Sequence, residues 1–163
     1  LEYKQSKTKT PIHIKTTRNF LLIQEKDNVK ISKNDLVIKT IAKPSNKILD
    51  DMIFAFIVSK YINSNAIVLA NNLSTIGIGV GQTNRLDSAR EAIRKKKLNF
   101  KNEKSVMASD GFFPFPDIVK LCQKNKIIGI IQPGGSRNDE VVISTANKFK
   151  IPLIFTRKRH FKH

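Results

Sequence analysis

The chain has 163 residues, of which 40% are hydrophobic and 26% are charged. This composition predicts one globular domain that buries roughly 70% of the unfolded surface, and it excludes a disordered protein. No apolar run approaches the roughly 20 residues that a membrane span needs, and the amino-terminal residues lack the apolar stretch of a signal peptide. The single cysteine, Cys122, excludes an internal disulfide and a multi-cysteine zinc site. We therefore expect a cytoplasmic protein that makes no contact with a membrane.

The formal net charge of +17 indicates an anionic partner, such as nucleic acid, a membrane surface or a phosphate-bearing ligand. Lysine supplies 23 of the 30 cationic residues, however, and the lysines are spread over the whole sequence. The densest cluster, 94–97, ends a predicted helix, where cations suit the negative end of the helix dipole. The charge is therefore typical of a solvated surface, and we do not expect nucleic acid as the main partner. A non-catalytic basic module that binds nucleic acid or polyphosphate is the alternative.

The apolar pattern and the turn residues divide the chain into short strands and helices. Ser45 is the expected N-cap of the first helix, and the pair Asn71-Asn72 is expected to form a tight hairpin turn. From residue 64 onward strands and helices alternate, which predicts an α/β fold: a layered α/β sandwich with a largely parallel, mixed sheet. In chain order, the predicted elements are strands 11–16, 20–25 and 35–41, a helix from 45 to about 61, strands 65–70 and 75–82, a helix 85–98, a strand 105–109, a helix 114–125, a strand 127–132, a helix 138–150 and a strand 152–156.

Ligands of such sheets bind beyond the carboxyl ends of the parallel strands. Three loops and the basic tail follow strands that should end at this edge of the sheet. We therefore expect a common cleft formed by the segments 82–85, 110–117 and 133–139 and by the tail after Thr156.

Three glycines alternate along the predicted strand 75–82, so Gly77, Gly79 and Gly81 share one face of it. Such a stripe permits the close approach of either a helix or a ligand, and the residues alone leave both open. A dinucleotide-binding fingerprint would need a glycine where Gln82 stands, which excludes that motif.

Two loops of the predicted cleft have unusual sequences. The loop 132–139 leads into a helix start, where free N–H groups bind phosphate or carboxylate. An ordinary turn capped by Ser136 or Asn138 is the other interpretation. The segment 109–116 contains three phenylalanines and two prolines, and it either anchors a loop to the core or forms an aromatic wall for a planar ligand.

The basic tail 157–163 holds two of the three histidines. No other histidine or cysteine is placed to complete a metal site, so we expect none. A frayed terminus is typical of such a segment. The residues alone thus predict an α/β domain with an aromatic edge that suits anions, and they contain no convincing nucleophile–base pair.

Five stretches of the sequence keep the order and nearly the spacing of one enzyme family. They are LLIQEKD (21–27), SNAIVLANNLSTIGIGVGQTNR (64–85), SVMASDGFFPFPD (105–117), IIQPGGSRNDEVV (130–142) and IFTRKRHFKH (154–163). From about residue 20 to its end, the chain resembles the C-terminal half of the transformylase domain in a family of bifunctional purine-biosynthesis enzymes. This family is aminoimidazole carboxamide ribonucleotide (AICAR) transformylase/inosine monophosphate (IMP) cyclohydrolase.

The resemblance implies a cytidine-deaminase-like sandwich without zinc, with connecting strands and a helix in 1–63 and the sandwich subdomain in 64–163. It implies an enzyme, a formyltransferase, that passes a formyl group from its co-substrate 10-formyltetrahydrofolate to the 5-amino group of AICAR in IMP biosynthesis. The catalytic form would be a homodimer with ligands at the interface. The family's essential Lys–His pair belongs to the first half of the transformylase domain, which is absent here together with the cyclohydrolase domain. We therefore expect the isolated chain to be inactive.

The resemblance also assigns residues to the ligands. The nucleotide would contact Asn65, Arg85, Phe112 and Arg159. The arginines would pair with its phosphate and polar groups, Phe112 would lie against the heterocycle, and Asn65 would orient the carboxamide or support the reacting centre.

The folate side, by the same resemblance, would comprise Leu86, Asp117, Ser136 and Arg137, with Phe115 and His163 close by. A structural potassium ion is implied near Ser64 and Asp110. A remnant that only folds or dimerises, without binding either ligand, is a further alternative.

Overall fold

The computed structural model describes residues 12–162. Two strands, β1 (Ile12–Thr16) and β2 (Leu21–Glu25), pair antiparallel as a separate two-stranded ribbon. A short 3₁₀ helix (Lys33–Asp35) and a two-residue strand, β3 (Val37–Ile38), lead to helix α1 (Asn46–Ser59). The Ser45 hydroxyl accepts a hydrogen bond from the N–H of Ile48, which confirms the predicted N-cap.

The remaining elements alternate as predicted. They are β4 (Ile67–Asn71), β5 (Ser74–Gly79), α2 (Arg85–Asn99), β6 (Ser105–Ser109), α3 (Asp117–Lys124), β7 (Ile127–Gln132), α4 (Asp139–Lys148) and β8 (Leu153–Phe155). The sheet has six strands in the order β3-β8-β7-β6-β4-β5. Strands β6, β7 and β8 are parallel to one another, and β5 shares their direction because β4 is antiparallel to both β5 and β6. The predicted mixed α/β sheet is thus confirmed, with four of its six strands running one way.

Helices cover both faces of the six-stranded sheet. Alternate residues of a strand point to opposite faces, and β6 sends Val106 and Ala108 toward α1 but Met107 toward the other three helices. On the first side, Met52 and Phe56 of α1 are fully buried against the sheet. These two apolar layers make the chain the predicted layered sandwich. None of the helices in residues 12–162 is long and apolar enough to cross a membrane.

Two predicted elements differ from the structure. The predicted strand 35–41 is reduced to β3, because Ser32 and Asp35 form a capping box that winds the preceding residues into the 3₁₀ helix. The predicted helix 114–125 begins only at Asp117. Residues that precede proline favour extended backbone, and both Pro114 and Pro116 lie in this region.

The β4–β5 hairpin turns at Asn72 and Leu73, one residue later than predicted. Both residues have positive φ, 50° and 54°, as a two-residue turn of this kind requires. The buried carboxylate of Asp51 in α1 accepts hydrogen bonds from the N–H groups of Asn72 (3.1 Å) and Leu73 (2.7 Å). These bonds explain how a leucine is held in a conformation that it seldom adopts.

The glycine stripe serves the packing of α2 against β5. A β-carbon on Gly77 or Gly79 would collide with the main-chain oxygens of Ala92 and Ser88, respectively. Gly81 lies beyond the strand, with a φ of +64° and open space around it. Of the two interpretations left open by the sequence, the structure supports the close approach of a helix.

Candidate functional site

The carboxyl ends of β5 to β8 and the basic tail meet at one edge of the sheet, called here the carboxyl edge. The N–H of Thr156 donates to the carbonyl of Gln132 at 2.9 Å, and the N–H of His160 donates to the carbonyl of Asp110 at 3.1 Å. The tail therefore runs across the ends of β7 and β6. The convergence of loops predicted from the sequence is present in the fold.

Asp110 is the centre of the polar contacts at this edge. Its side chain is completely buried. One carboxylate oxygen accepts a hydrogen bond from the Ser64 hydroxyl at 2.5 Å, and the other lies 3.0 Å from the Arg85 guanidinium. A buried carboxylate is stable only when it is paired and hydrogen-bonded, and these two partners meet that need. The three residues tie the starts of β4 and α2 to the end of β6.

Arg85 is held inward by this pair. Its guanidinium also donates to the carbonyl of Phe112 at 3.3 Å, and only 12% of its side chain is exposed. A β-carbon on Gly111 would collide with the guanidinium, so the glycine leaves room for the approach. The predicted pairing of Arg85 with a ligand phosphate would require the guanidinium to turn away from Asp110. In the observed arrangement Arg85 neutralises Asp110 and orients the loop that carries Phe112.

Arg159 and Phe112 are in direct contact. The guanidinium carbon of Arg159 lies 5.0 Å from the centroid of the Phe112 ring, which is a cation–π arrangement. Arg159 also lies beside Gly135, where an added β-carbon would be 3.2 Å from a guanidinium nitrogen. None of the carboxylates within residues 12–162 pairs with Arg159, whose side chain is exposed. Arg159 is therefore a cation that is available to an anionic group at the carboxyl edge.

Asn65 is fixed next to the Asp110 cluster at the start of β4. Its side-chain amide donates to the carbonyl of Gln82 at 2.8 Å, and its own carbonyl accepts from the Ser88 hydroxyl at 2.7 Å. The peptide bond between Ser64 and Asn65 is cis, a feature that the sequence did not predict. Through Ser64, Asn65 joins the cluster that contains Asp110 and Arg85.

Three of the residues that the resemblance assigns to folate line one hollow. Leu86, Phe115 and Asp117 surround it, at the side of the carboxyl edge where α2 faces the start of α3. Phe115 is 58% exposed, and the Asp117 carboxylate accepts the N–H of Ile118 at 2.9 Å. The hollow therefore offers apolar and aromatic walls together with a carboxylate, which suits a planar ligand that carries N–H donors.

The loop before α4 satisfies its own N–H groups. The Asp139 carboxylate accepts hydrogen bonds from the N–H groups of Gly135 (2.7 Å) and Ser136 (3.2 Å). The predicted external anion at this helix start is thus replaced by a carboxylate of the chain itself. Asn138 occupies the N-cap position without a side-chain cap bond. Ser136 and the exposed Arg137 lie on this loop, and the structure shows no direct contact of either residue with the hollow.

The phenylalanine segment is anchored to the core by one of its rings and leaves two others at the carboxyl edge, so the aromatic wall for a planar ligand stays a prediction. Phe113 is completely buried in the core, and its N–H donates to the side-chain oxygen of Gln132. Phe112 is half-buried under Arg159, and Phe115 faces the hollow. Gln132 is itself fully buried, and its side-chain nitrogen has no hydrogen-bond partner within the described residues. Sequence reasoning missed Gln132, since a glutamine that ends an apolar strand carries no distinguishing signal.

A potassium ion would need free oxygen ligands near Ser64 and Asp110. These side chains supply oxygen atoms, the donor type that hard cations prefer. Both carboxylate oxygens of Asp110 are already engaged, however, and Arg85 balances its charge. The described residues therefore do not fit the ion in this arrangement, and we derive no step through it. Residues 12–162 also contain no group of three or more histidine, cysteine or acidic side chains that could hold a metal.

The expectation of a frayed tail is wrong for the part that the structure describes. The His160 ring is only 2% exposed, its Nδ1 lies 2.5 Å from an Asp27 carboxylate oxygen, and its centroid is 4.7 Å from that of Phe56. Burial raises the pKa of Asp27, but hydrogen bonds from His160 and from the Val29 N–H outweigh it and hold the pKa below its ordinary value. The predicted folate contact of His163 lies outside the described residues.

A family model described as the AICARFT/IMPCHase bienzyme matches residues 1–95. The chain belongs to this family. The assignment confirms the predicted family. The matched residues include two of the five sequence stretches, 21–27 and 64–85, and they cover the ribbon, α1, the β4–β5 hairpin and most of α2.

Relatives in the AICARFT/IMPCHase family are similar along most of the chain. It is 47% identical over 150 residues to the bifunctional purine biosynthesis protein PurH of Thermoanaerobacter sp. (strain X514), covering 92% of this chain and 29% of that protein. It is 46% identical over 157 residues to PurH of Caldicellulosiruptor bescii, covering 96% of this chain and 30% of the relative. With PurH of Buchnera aphidicola subsp. Schizaphis graminum it shares 45% identity over 162 residues, covering 98% of this chain and 31% of the relative. The chain therefore spans less than a third of the length of these relatives.

Among solved structures, the chain is similar to the dCMP deaminase from the cyanophage S-TIM5 in its apo form. The sequence identity is 13%, the TM-score is 0.44, and the match covers 68% of this chain and 98% of the deaminase. The layered α/β architecture itself follows from the strand order and from the two apolar layers described above.

Proposed function

We propose that this chain supplies part of the nucleotide and folate sites of a formyltransferase in purine biosynthesis. The reaction would move a formyl group from 10-formyltetrahydrofolate to the 5-amino group of AICAR. Family membership supports the proposal, and one structural observation carries it. Arg159 lies over Phe112 without a carboxylate partner in the described residues, at the same edge as the hollow of Leu86, Phe115 and Asp117.

The nucleotide would bind through charge and stacking. The planar guanidinium of Arg159 can donate two parallel hydrogen bonds to a phosphate. The heterocycle would stack on Phe112, either on the face that Arg159 leaves open or after the guanidinium moves toward the phosphate. Asn65, held by Gln82 and Ser88, would present its carboxamide to the ligand's polar groups.

The folate would enter the hollow of Leu86, Phe115 and Asp117, which Arg85 also lines. A pterin ring is planar and carries N–H donors on one edge, which Asp117 can accept. Leu86 and Phe115 would cover its faces. Both ligands would then approach each other across the segment that Arg85 orients, so that the formyl carbon and the amine can meet.

Formyl transfer requires two kinds of assistance. The new bond joins the AICAR amine to the formyl carbon, the bond from that carbon to N10 of the folate breaks, and a proton leaves the amine and is returned to N10. A positioned base and a stabilised oxyanion accelerate such a step. Within residues 12–162, the Asp110 carboxylate at the centre of the cluster is neutralised by Arg85, and the His160 ring is paired with Asp27. We therefore propose that the proton-transfer groups come from another part of the enzyme and that this chain alone is inactive.

A homodimer in the cytoplasm is part of the same proposal. The ribbon of β1 and β2 exposes six large apolar side chains by more than half, namely Ile12, Ile14, Phe20, Leu21, Leu22 and Ile23. Exposed apolar surface of this kind is characteristic of an interface. Sedimentation of the full-length enzyme should give a dimer, and replacing Leu22 and Ile23 by serine should shift it toward the monomer. A wild-type enzyme that is monomeric at micromolar concentration would exclude the dimer.

Ligand binding in salt titrations separates this function from that of a basic nucleic-acid module. Calorimetry of the full-length enzyme should show binding of AICAR and of a folate analogue. RNA binding that weakens on the order of 10³-fold between 50 and 200 mM salt, with neither AICAR nor folate bound, would instead identify the basic module. A melting temperature that no ligand changes would indicate the remnant that only folds or dimerises.

A further inference from the structure

The side chains of the tail point in two directions. Lys158 and His160 contact the segment 24–35, called here the clamp segment, whereas Arg159 between them lies over Phe112. This alternation is that of an extended chain, in which neighbouring side chains face opposite sides. Whatever holds Lys158 and His160 therefore also sets the position of Arg159.

His160 and Asp27 are the buried part of this attachment. The ring of His160 lies between the Asp27 carboxylate, at 2.5 Å, and the Phe56 ring, whose centroid is 4.7 Å away. The Asp27 carboxylate also accepts the Val29 N–H at 2.9 Å and lies 3.6 Å from the Lys60 ammonium. Because an ionised carboxylate only accepts hydrogen bonds, the proton between the two residues belongs to Nδ1 of His160. This hydrogen bond holds the orientation of the ring.

Two further contacts flank this pair. The Lys158 ammonium lies 3.0 Å from the Asp35 carboxylate and donates to the carbonyl of Lys30 at 2.9 Å. On the other side, the Gln24 amide donates to the carbonyl of Phe161 at 2.7 Å. The clamp segment thus contacts the tail on both sides of Arg159. It therefore holds the tail in place in addition to connecting the ribbon to α1.

We infer that Asp27 and His160 are a positioning pair that holds the Arg159 guanidinium at the Phe112 ring, ready for the phosphate of the nucleotide. The inference rests on the proposed function, because the ligand of Arg159 is part of that proposal. Neither residue touches the ligand. The pair restricts the conformations of the tail before the nucleotide binds. Little conformational entropy is therefore lost on binding.

The test uses the full-length enzyme and compares Asp27→Asn with Asp50→Asn. Asp50 also pairs with a lysine of the clamp segment, Lys33 at 2.9 Å, but this pair is on the exposed surface and neither residue contacts the tail. Asp27→Asn should weaken AICAR binding about tenfold, leave folate binding nearly unchanged and speed amide hydrogen exchange in 159–162. Asp50→Asn should change none of these.

Two variants of His160 test the pair even if Asp27→Asn fails to fold. In His160→Asn an amide N–H takes the place of the Nδ1 donor, whereas in His160→Gln the amide reaches further and loses that position. Nucleotide affinity retained in His160→Asn and reduced in His160→Gln supports the pair. Equal affinities in the two variants overturn it, and so does faster exchange of the tail without loss of AICAR affinity. If wild-type enzyme does not bind AICAR at all, the proposed function and the positioning role both fail. The amide hydrogen-exchange rates then show only whether the clamp segment holds the tail.

Discussion

The Arg85 guanidinium lies 3.0 Å from the Asp110 carboxylate, and both side chains are almost entirely removed from solvent. The Asp110 carboxylate also accepts a hydrogen bond from the Ser64 hydroxyl. The relative positions of three segments of the chain therefore depend on one buried charge pair. The pair fixes the loop between β6 and α3, on which the aromatic residues of the carboxyl edge are carried. The position of Arg85 is therefore a structural requirement of the carboxyl edge.

Arg85→Ala should destabilise the protein strongly. Breaking a buried ion pair from one side leaves an uncompensated charge, which costs roughly 3–5 kcal/mol. Chemical denaturation measures the loss, and Arg90→Ala is the matched control, since Arg90 pairs with Asp87 on the exposed surface and should cost no more than about 0.5 kcal/mol. Adding Asp110→Asn to Arg85→Ala should restore part of the stability. Equal stability of Arg85→Ala and Arg90→Ala would contradict the role of the pair.

Arg159→Ala should weaken the binding of AICAR more than that of folate. Loss of a hydrogen bond to a charged ligand costs roughly 1.5–3 kcal/mol, which corresponds to a drop in affinity of about 10- to 150-fold. Calorimetry on the full-length enzyme gives both affinities. Arg157→Ala is the control, because Arg157 is an exposed arginine of the same tail. If both ligands lose affinity equally, Arg159 does not belong to the nucleotide site.

Phe115→Ala should reduce folate affinity with little effect on stability. The ring is 58% exposed at the hollow, so its removal takes an apolar wall from the ligand but leaves the core intact. We expect a loss of about 1 kcal/mol or more in binding, the usual value for an aromatic contact. Leu98→Ala, which removes a side chain that is 70% exposed on α2, serves as the control. If the two variants have the same folate affinity, the hollow is not the folate site.

The carboxylates of the clamp segment should make the free energy of unfolding depend on pH in the acidic range. Hydrogen bonds from the Ser32 N–H and from Lys158 lower the pKa of Asp35 from 3.8 to about 2. The unfolded chain therefore takes up a proton at Asp35 first as the pH falls. The stabilisation is complete above about pH 4 and is lost between about pH 4 and pH 2.

Asp27 acts in the same direction, since its pKa is also lowered in the folded protein. Denaturation curves between pH 2 and pH 6 should show a shallower acid limb in Asp27→Asn and Asp35→Asn than in the wild type. Acid limbs of identical slope in all three proteins would show that the tail is not held by these carboxylates.

The order of strands and helices could be predicted from the sequence because each element carries its own periodicity and its own stop signals. The glycines at 77 and 79, the N-cap at Ser45 and the alternation after residue 64 are local patterns of this kind. The strand predicted at 35–41 failed because a side-chain capping interaction overrode an apolar run. Periodicity does not report such a competition.

The site could be predicted only in part. Family motifs supplied Arg159 and Phe112, which are in contact, but no motif indicated that Asp27 would meet His160 across 133 positions of sequence. A pairing between residues so distant in sequence depends on the whole fold, so it cannot be predicted from the individual residues. The same reason hides the burial of Gln132, whose partner Phe113 lies on a different segment.

The two hydrogen bonds that the Asp51 carboxylate accepts from the N–H groups of Asn72 and Leu73 bear on how the chain folds. An antiparallel hairpin ordinarily closes early and locally. Here the turn is completed by a carboxylate from a helix that precedes both strands, so we expect the hairpin to reach its final form only when α1 docks. We therefore expect helix and hairpin to open and close as one cooperative unit, at the end of the sheet opposite the carboxyl edge.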